Sequence, residues 1–182
     1  MRPVAAATAV AVASFALPAG AVEREHHLGV DAGLSLLVLN DKTDVGGALG
    51  GHWAYGLSDV FNLMAEATWS LVALGEKVQD VHTPRTRPTN VANVGAGVGF
   101  VFDVLQWVPY AGLLVGGYGL FGGTLDKPRF PLGGTAALGL DYRFRREWAA
   151  GVAFRQHLLL TDMSTYPSFT HVFARVEYTW GW

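Results

Sequence analysis

The segment HVFARVEYTWGW, residues 171–182, decides the fold class of this chain. Apolar or aromatic side chains occupy every even-numbered position from Val172 to Trp182, while Arg175, Glu177 and Thr179 stand on odd-numbered positions. Because successive side chains of a β-strand point to opposite faces, this alternation predicts a strand with one apolar and one charged face. A strand of this kind that ends on an aromatic residue is typical of the closing seam of a membrane-spanning β-barrel.

Seven more segments alternate in the same way, each near the ~9–11 residues that a tilted membrane strand requires. We expect strands at about 28–38, 45–57, 60–71, 91–104, 108–120, 132–144 and 148–161. The facing of 108–120 is ambiguous, because Leu113 and Val115 oppose the equally apolar Leu114 and Tyr118. The sequence therefore predicts an all-β fold, an eight-stranded antiparallel up-and-down transmembrane β-barrel with the even strand number of bacterial outer-membrane barrels.

The connections between these segments alternate in length. Those after the second, fourth and sixth segments are tight, whereas those after the others are longer, at residues 40–44, 72–90, 121–131 and 162–170. Short periplasmic turns and longer external loops are typical of outer-membrane barrels, so we expect both termini in the periplasm.

With that orientation, the aromatic residues should form a girdle at each membrane interface. The residues expected near the periplasmic rim are Trp53, Tyr55, Phe102, Trp107, Tyr142, Phe144, Trp148, Trp180 and Trp182. Those expected near the outer rim are Trp69, Tyr118 and Phe121.

The N-terminus predicts export. Met1 and Arg2 give a short positive start, residues 4–17 form an apolar run, and Pro18-Ala19-Gly20-Ala21 places small residues where a signal peptidase cuts. We interpret residues 1–21 as a secretory signal peptide and residues 22–182 as the outer-membrane β-barrel.

Composition agrees with a single membrane domain. Of the 182 residues, 51% are hydrophobic and only 15% are charged, which is apolar for a soluble domain. The net charge of −2 gives no indication of a nucleic-acid partner. The absence of cysteine excludes disulfide and thiol chemistry.

A soluble lipocalin-like barrel is the main structural alternative, since it also has eight antiparallel strands. Such a barrel turns its large apolar side chains inward, around a ligand. Here the face opposite the large apolar residues is crowded with glycine and charge, which suits the narrow lumen of eight strands. Lipid should then cover Leu63, Phe100, Leu138 and Phe154.

The alternating strands, the alternating loops and the ending VEYTWGW, residues 176–182, resemble the small outer-membrane β-barrel family typified by the OmpA membrane domain and OmpX. The resemblance covers the whole mature chain and implies a Gram-negative outer-membrane location. It also implies that Tyr178, Trp180 and Trp182 form the signal recognised by the barrel-assembly machinery. Such barrels serve as adhesins, anchors, narrow channels and lipid-modifying enzymes. No peptidoglycan-binding domain follows Trp182, so we do not expect the anchoring role of the longer OmpA-like proteins.

Ten ionisable side chains are predicted to project into the lumen and form a charge network: Asp31, His52, Glu66, Asp103, Asp141, Arg143, Arg155, His157, Arg175 and Glu177. Unpaired charges are costly in a medium of low polarity, so these groups should pair. They form either a gated ion path, in which the ion pairs change partners, or a static polar plug. We favour the plug because eight strands leave little continuous water, and we expect Asp141 and Glu177 to be the acids nearest to the arginines.

An enzyme of the lipid A-modifying kind is a further alternative. His157, Asp162 and Ser164 lie close in sequence near the external end of the seventh segment and offer a base, an acid and a nucleophile. Barrel-type lipid A deacylases, however, carry a serine two residues beyond the histidine, where this chain has Leu159. We therefore expect no catalytic residues.

The loops offer cations that suit lipopolysaccharide phosphates, namely Arg85, Arg87, Lys127 and Arg129, although solvated loop charges are the simpler interpretation. His82 has only His26 and His27 as possible metal-binding company, on the opposite side of the membrane, so we expect neither a metal nor a cofactor.

The function that these patterns favour is that of an integral outer-membrane protein with a structural or surface-interaction role, non-enzymatic and monomeric. Its expected partners are outer-membrane lipid, with lipopolysaccharide as a candidate, and the barrel-assembly machinery during biogenesis. A narrow porin-like channel through the charged lumen and a lipid A-modifying enzyme are the alternatives.

Overall fold

The computed structural model describes residues 24–39, 42–72, 87–103, 105–166 and 168–181. The signal peptide predicted at 1–21 lies outside these residues, as do Arg85 and Trp182. The eight strands are β1 His26–Leu39, β2 Lys42–Gly56, β3 Phe61–Val72, β4 Asn90–Val101, β5 Trp107–Phe121, β6 Leu132–Arg143, β7 Trp148–Leu158 and β8 Ser168–Trp180. A short 3₁₀-helix, Leu160–Asp162, lies between β7 and β8. No helix within the described ranges has both the length and the apolar character to cross a membrane.

Each strand pairs antiparallel with its neighbour in sequence, and β8 pairs with β1, so the sheet closes into a barrel. The seam runs from His26 opposite Trp180 to Val38 opposite Ser168. This closed up-and-down topology confirms the predicted fold class.

The two ends of the barrel differ in their connections. At one end, called the turn end, residues 57–60, 102–106 and 144–147 join the strands; residues 24–25 and 181 also lie there. At the other, called the loop end, the connections are residues 40–41, 73–89, 122–131 and 159–167. The longer connection expected at 40–44 is wrong, because β1 extends to Leu39 and β2 begins at Lys42.

The outward face of the barrel is apolar. Val30, Leu49, Leu113, Leu138 and Val152 all expose more than half of their surface, as expected for side chains that lipid covers. Apart from β5, the lumen faces of these strands hold mostly small or polar residues. This arrangement confirms the inside-out pattern on which the sequence prediction depended.

The facing of β5 is now defined, and it corrects one prediction. Leu113 and Val115 point outward, whereas Leu114 and Tyr118 point into the lumen. Tyr118 is only 3% exposed, so its assignment to the outer aromatic girdle is wrong. Both faces of this strand are apolar because the lumen itself contains an apolar region near the loop end. The sequence of β5 therefore does not alternate between apolar and polar residues, and it cannot show which face points outward.

Aromatic rings do line the outside of the turn end. Trp148 contacts Tyr178 at 5.1 Å between ring centroids, and Trp107 contacts Tyr142 at 4.9 Å. Trp180 stacks at 5.3 Å on His26, which the sequence analysis had not placed in this girdle. Three strands stop earlier than expected. β4 stops at Val101, β7 stops at Leu158 because the chain turns into the 3₁₀-helix, and β8 stops at Trp180, before Gly181 with its positive φ of 100°.

Glycines on the lumen face make room for the large side chains opposite them. A Cβ added to Gly139 would collide with the ring of Tyr110, and one added to Gly29 would collide with the ring of His52. The narrow lumen can therefore accept these rings only because their cross-strand neighbours lack side chains.

Candidate functional site

The charged lumen is the candidate site, and its centre is Arg175 on β8. Its guanidinium donates a hydrogen bond to Glu177 at 2.8 Å, and its Nε lies 3.5 Å from the Asp141 carboxylate. It also bonds the hydroxyl of Tyr110, whose ring lies 4.8 Å below it, and contacts His52. Arg175 thus holds together residues from β2, β5, β6 and β8, which fixes the shape of the lumen.

Arg155 on β7 forms a second centre, closer to the loop end. Its Nη2 lies 2.9 Å from Asp31 on β1, and its Nε lies 3.0 Å from Glu66 on β3. Its guanidinium also lies over the ring of Phe173, 5.1 Å from the centroid. The expectation that Asp141 and Glu177 are its nearest acids is wrong, because the long side chain crosses the narrow lumen instead of pairing along the wall.

Two histidines complete the network towards the turn end. His52 lies between Asp31, at 3.1 Å from its Nδ1, and Glu177, at 3.0 Å from its Nε2. His27 places its Nδ1 2.8 Å from the other oxygen of Glu177. Sequence reasoning missed His27, although its position one residue before Leu28 on the alternating first strand put it on the lumen face.

At the turn end itself, Arg143 lies 3.4 Å from Asp103 and 4.0 Å from Glu25. Burial raises the pKa of the Glu25 carboxyl, which precedes β1 and lies outside the strands. These three residues form a rim of paired charges, and Glu25 joins it to the deeper network because its carboxylate also lies 3.7 Å from Nε2 of His27.

His157 belongs to a separate polar chain near the loop end. The Ser70 hydroxyl lies 2.8 Å from Nε2 of His171, and Nδ1 of His171 lies 3.0 Å from Nε2 of His157. Nδ1 of His157 in turn lies 2.8 Å from the Thr135 hydroxyl, which contacts Tyr118 at 3.0 Å. Tyr118 donates to the carbonyl of Gly134, which can only accept. The hydrogen bonds can therefore all run in one direction, from the Ser70 hydroxyl through the two histidines to this carbonyl.

An apolar cluster closes the lumen above this chain, at the loop end. Its members come from five strands and from the β7–β8 connection: Leu37, Val72, Val91, Tyr118, Leu120, Leu159, Tyr166 and Phe169. The sequence does not predict this closure. An apolar residue at a lumen position looks the same in the sequence as a shift in which residues of the strand point outward.

The three residues considered for lipid A hydrolysis have other surroundings. Asp162 accepts a hydrogen bond from Arg129 at 2.9 Å, and this bond raises the pKa of Arg129. The ring of His157 lies among Thr135, Tyr118 and His171, and Ser164 is exposed on the connection. The structure does not bring the three together into a nucleophile–base–acid arrangement.

The turn-end half of the lumen contains a cavity of about 30 Å³, lined by Asn62, Asp141, Arg143, Arg175, Glu177 and His27 among others. Since one water molecule needs ~10–15 Å³ of cavity volume, the cavity has room for about two water molecules. In the part of the chain that the structure describes, no group of three or more metal-binding side chains is placed to hold an ion.

The loop cations considered for phosphate binding are partly paired. Arg87 lies 3.6 Å from Asp44, and Arg129 pairs with Asp162 as described above. Lys127 is exposed between β5 and β6.

A closed sheet with an apolar exterior and a polar, filled lumen defines an integral transmembrane β-barrel. The chain belongs to the outer membrane protein beta-barrel domain family, whose model matches residues 7–178. It is therefore an integral protein of the Gram-negative outer membrane. Curated protein sequences contain no significant match to it.

Solved structures show the same architecture at low sequence identity. Neisserial surface protein A is 12% identical with a TM-score of 0.65, and the alignment covers 84% of this chain and 96% of that one. Ail, the attachment invasion locus protein of Yersinia pestis, is 12% identical with a TM-score of 0.59, covering 87% and 99%. The N-terminal β-barrel domain of Pseudomonas aeruginosa OprF is 11% identical with a TM-score of 0.58, covering 87% and 98%. At this identity the likeness shows the fold alone.

Proposed function

We propose that this barrel is a non-enzymatic surface protein that supports the outer membrane or presents its loops for interaction. The observation that carries the proposal is the filled lumen. Arg155 and Arg175 occupy its middle with their partner carboxylates, and the apolar cluster closes its loop end. A filled interior leaves the lipid-facing wall and the connections as the surfaces that can act.

The connections support a specific orientation. Three of the loop-end connections, at residues 73–89, 122–131 and 159–167, are longer than every turn-end connection, which suits external loops above periplasmic turns. Both termini would then lie in the periplasm. Tyr178 and Trp180 at the end of β8, followed by Trp182, fit the role of assembly signal.

The proposed partners follow from the exposed chemistry. The apolar wall contacts outer-membrane lipid, and Lys127, with the loop arginines, is placed to contact lipopolysaccharide phosphates. The names of two structural relatives, a surface protein and an attachment invasion locus protein, agree with a role at the cell surface. We propose a monomer, without nucleic-acid partner or cofactor.

The orientation is tested by labelling single cysteines, since the natural chain has none. Lys127→Cys should react with a membrane-impermeant maleimide on intact cells. Arg145→Cys, in the β6–β7 turn, should react only after the outer membrane is permeabilised. The reverse order of reactivity would overturn the proposed orientation.

The filled lumen is tested by planar-bilayer recording of the purified wild-type protein. We expect no steady single-channel current. The turn-end cavity, which reaches the charged layer, favours a narrow channel as the second candidate function, and a reproducible current would select it.

Mass spectrometry of lipid A from cells with and without the gene tests the enzymatic alternative, and we expect identical spectra.

A further inference from the structure

The β7–β8 connection, residues 159–167, places side chains inside the barrel mouth. Leu159 and Tyr166 are both completely buried, and they pack with Leu37, Leu120 and Phe169 in the apolar cluster. Connections usually run over the outside of a protein, so two fully buried side chains on one connection require an explanation.

Polar groups lie directly beneath this closure. Ser70, His157 and His171 are buried and bonded to one another, and none of them takes part in the ion pairs of Arg155 and Arg175. A stretch of lumen that only had to be filled would cost least with apolar side chains, because buried polar groups need partners. The structure instead keeps a polar surface sealed under an apolar cover.

The ion pair between Arg129 and Asp162, at 2.9 Å, ties the connection to the β5–β6 side of the barrel mouth. The Arg129 guanidinium also lies 5.8 Å from the ring centroid of Tyr166, so one residue of the β5–β6 connection touches two of the β7–β8 connection. Thr161 adds a bond from the backbone N–H of Leu132, at 2.9 Å.

We propose that residues 159–166 form a lid, and that the Arg129–Asp162 pair is its latch. Leu159 and Tyr166 close the mouth in the state described here. When the lid opens, water and small solutes enter from the loop end and reach Ser70, His157 and His171. The Arg129 side chain is 41% exposed, and exposed ion pairs are weak, so the latch can release while the barrel stays folded. The lid is compatible with the function proposed above, because Arg155 and Arg175 with their partner carboxylates still fill the middle of the lumen when the lid opens.

The experiment measures the rate at which buried cysteines react with a small charged methanethiosulfonate in the full chain in lipid vesicles. Ser70→Cys and Leu37→Cys report on the space under the lid, and Asn62→Cys, in the turn-end cavity, is the matched reporter outside it. Each reporter is combined with Arg129→Gln or Leu159→Ser in the lid region. Arg87→Gln, which removes another paired loop arginine, is the control.

We expect Arg129→Gln to speed the reaction of the S70C and L37C reporters by about two- to fivefold, the range of a weak ion pair. Leu159→Ser should speed it by about tenfold or more, since it removes a buried apolar anchor. The N62C reporter should react at an unchanged rate throughout, and Arg87→Gln should change none of the three.

If the lid substitutions leave the rates at S70C and L37C unchanged, the lid does not open and the proposal is overturned. If they accelerate all three reporters equally, the whole barrel has loosened, which overturns the proposal as well. Rapid reaction of S70C and L37C without any lid substitution would overturn it as well. If Ser70→Cys does not fold, as judged by heat-modifiable migration in gels, Leu37→Cys decides alone.

Discussion

The guanidinium of Arg155 on β7 lies 2.9 Å from the carboxylate of Asp31 on β1, although β8 separates these two strands in the sheet. The Arg155 side chain therefore passes over β8, and its contact with Glu66 on β3, at 3.0 Å, reaches the opposite wall of the barrel. Arg155 and Asp31 are both almost completely buried, so each charge depends on its partners inside the barrel.

Replacing Arg155 with alanine should lower the free energy of unfolding by about 3–5 kcal/mol, because Asp31 and Glu66 would both lose a buried counter-charge. Urea unfolding in phospholipid vesicles, followed by tryptophan fluorescence, measures this. Arg145→Ala, in an exposed turn, is the control and should change stability by no more than about 0.5 kcal/mol. Equal effects of the two variants would contradict the proposed network.

The lipid-facing wall gives a second prediction. Leu138 lies in the middle of β6 and Leu132 at its loop-end start, and both point outward. A lysine at Leu138 should cost about 2–4 kcal/mol in vesicles, whereas a lysine at Leu132 should cost only about 0–1 kcal/mol, because the penalty falls towards the membrane interface. A larger penalty at Leu132 than at Leu138 would mean that hydrocarbon does not cover the middle of this strand.

Glycine positions in the sheet should differ sharply in their tolerance of alanine. Gly139→Ala should destabilise the barrel by about 1–3 kcal/mol, because the new methyl group would enter the ring of Tyr110. Gly47→Ala, where no atom lies within 4 Å of the added Cβ, should be neutral or stabilise by about 0.5 kcal/mol. The same unfolding assay tests both, and destabilisation by Gly47→Ala of the same size would argue against close packing as the cause.

Leu105, in the β4–β5 turn, has a positive φ of 63°, a conformation that costs a leucine about 1–2 kcal/mol. Leu105→Asn should therefore raise the unfolding free energy by about 1 kcal/mol, since asparagine tolerates this conformation. Leu57→Asn changes another exposed turn leucine, one that lacks a positive φ, and it should have no stabilising effect. A decrease in stability for Leu105→Asn would show that its exposed side chain has a role of its own.

The buried carboxyl of Glu25 should make the stability of the barrel depend on pH. Burial raises the pKa of its carboxyl above the ordinary value of 4.5, so folding favours the protonated form. Its stabilising contribution is complete below the ordinary pKa and is lost as the pH rises through the raised one. The stability of Glu25→Gln relative to the natural chain should thus increase between pH 4 and pH 8, as measured in urea titrations at each pH. A constant difference would show that the carboxyl is not desolvated.

Alternation in the sequence was sufficient to predict the closed barrel, because lipid and lumen demand opposite side chains on the two faces of each strand. It predicted one network of ten lumen residues, but Asp103 and Arg143 pair at the turn end and His157 belongs to a separate polar chain. It failed for β5, where Tyr118 was assigned to the outside, since at this height both faces are apolar. An alternating pattern shows only that the two faces of a strand differ in polarity. Where both faces are apolar, the pattern does not show which one points outward.

Partners across the lumen were beyond sequence reasoning for a different reason. Arg155 was expected beside acids of the neighbouring strands, but a side chain of its length reaches strands on the far wall. The closure was missed because Leu159 was expected inside the strand at 148–161, and because Tyr166 belongs to a connection, where apolar residues have no periodic pattern to mark them. His171 and Ser70 looked like ordinary strand residues until their contact across the lumen was known.

The pairing of His26 with Trp180 lies at one end of the seam that joins β1 to β8, and it has a consequence for the edges of the sheet. A sheet without this seam would present two rows of unsatisfied amides and carbonyls to hydrocarbon, which cannot hydrogen-bond to them. The closed ring of eight strands is therefore the form of this sheet that is stable in a bilayer by itself.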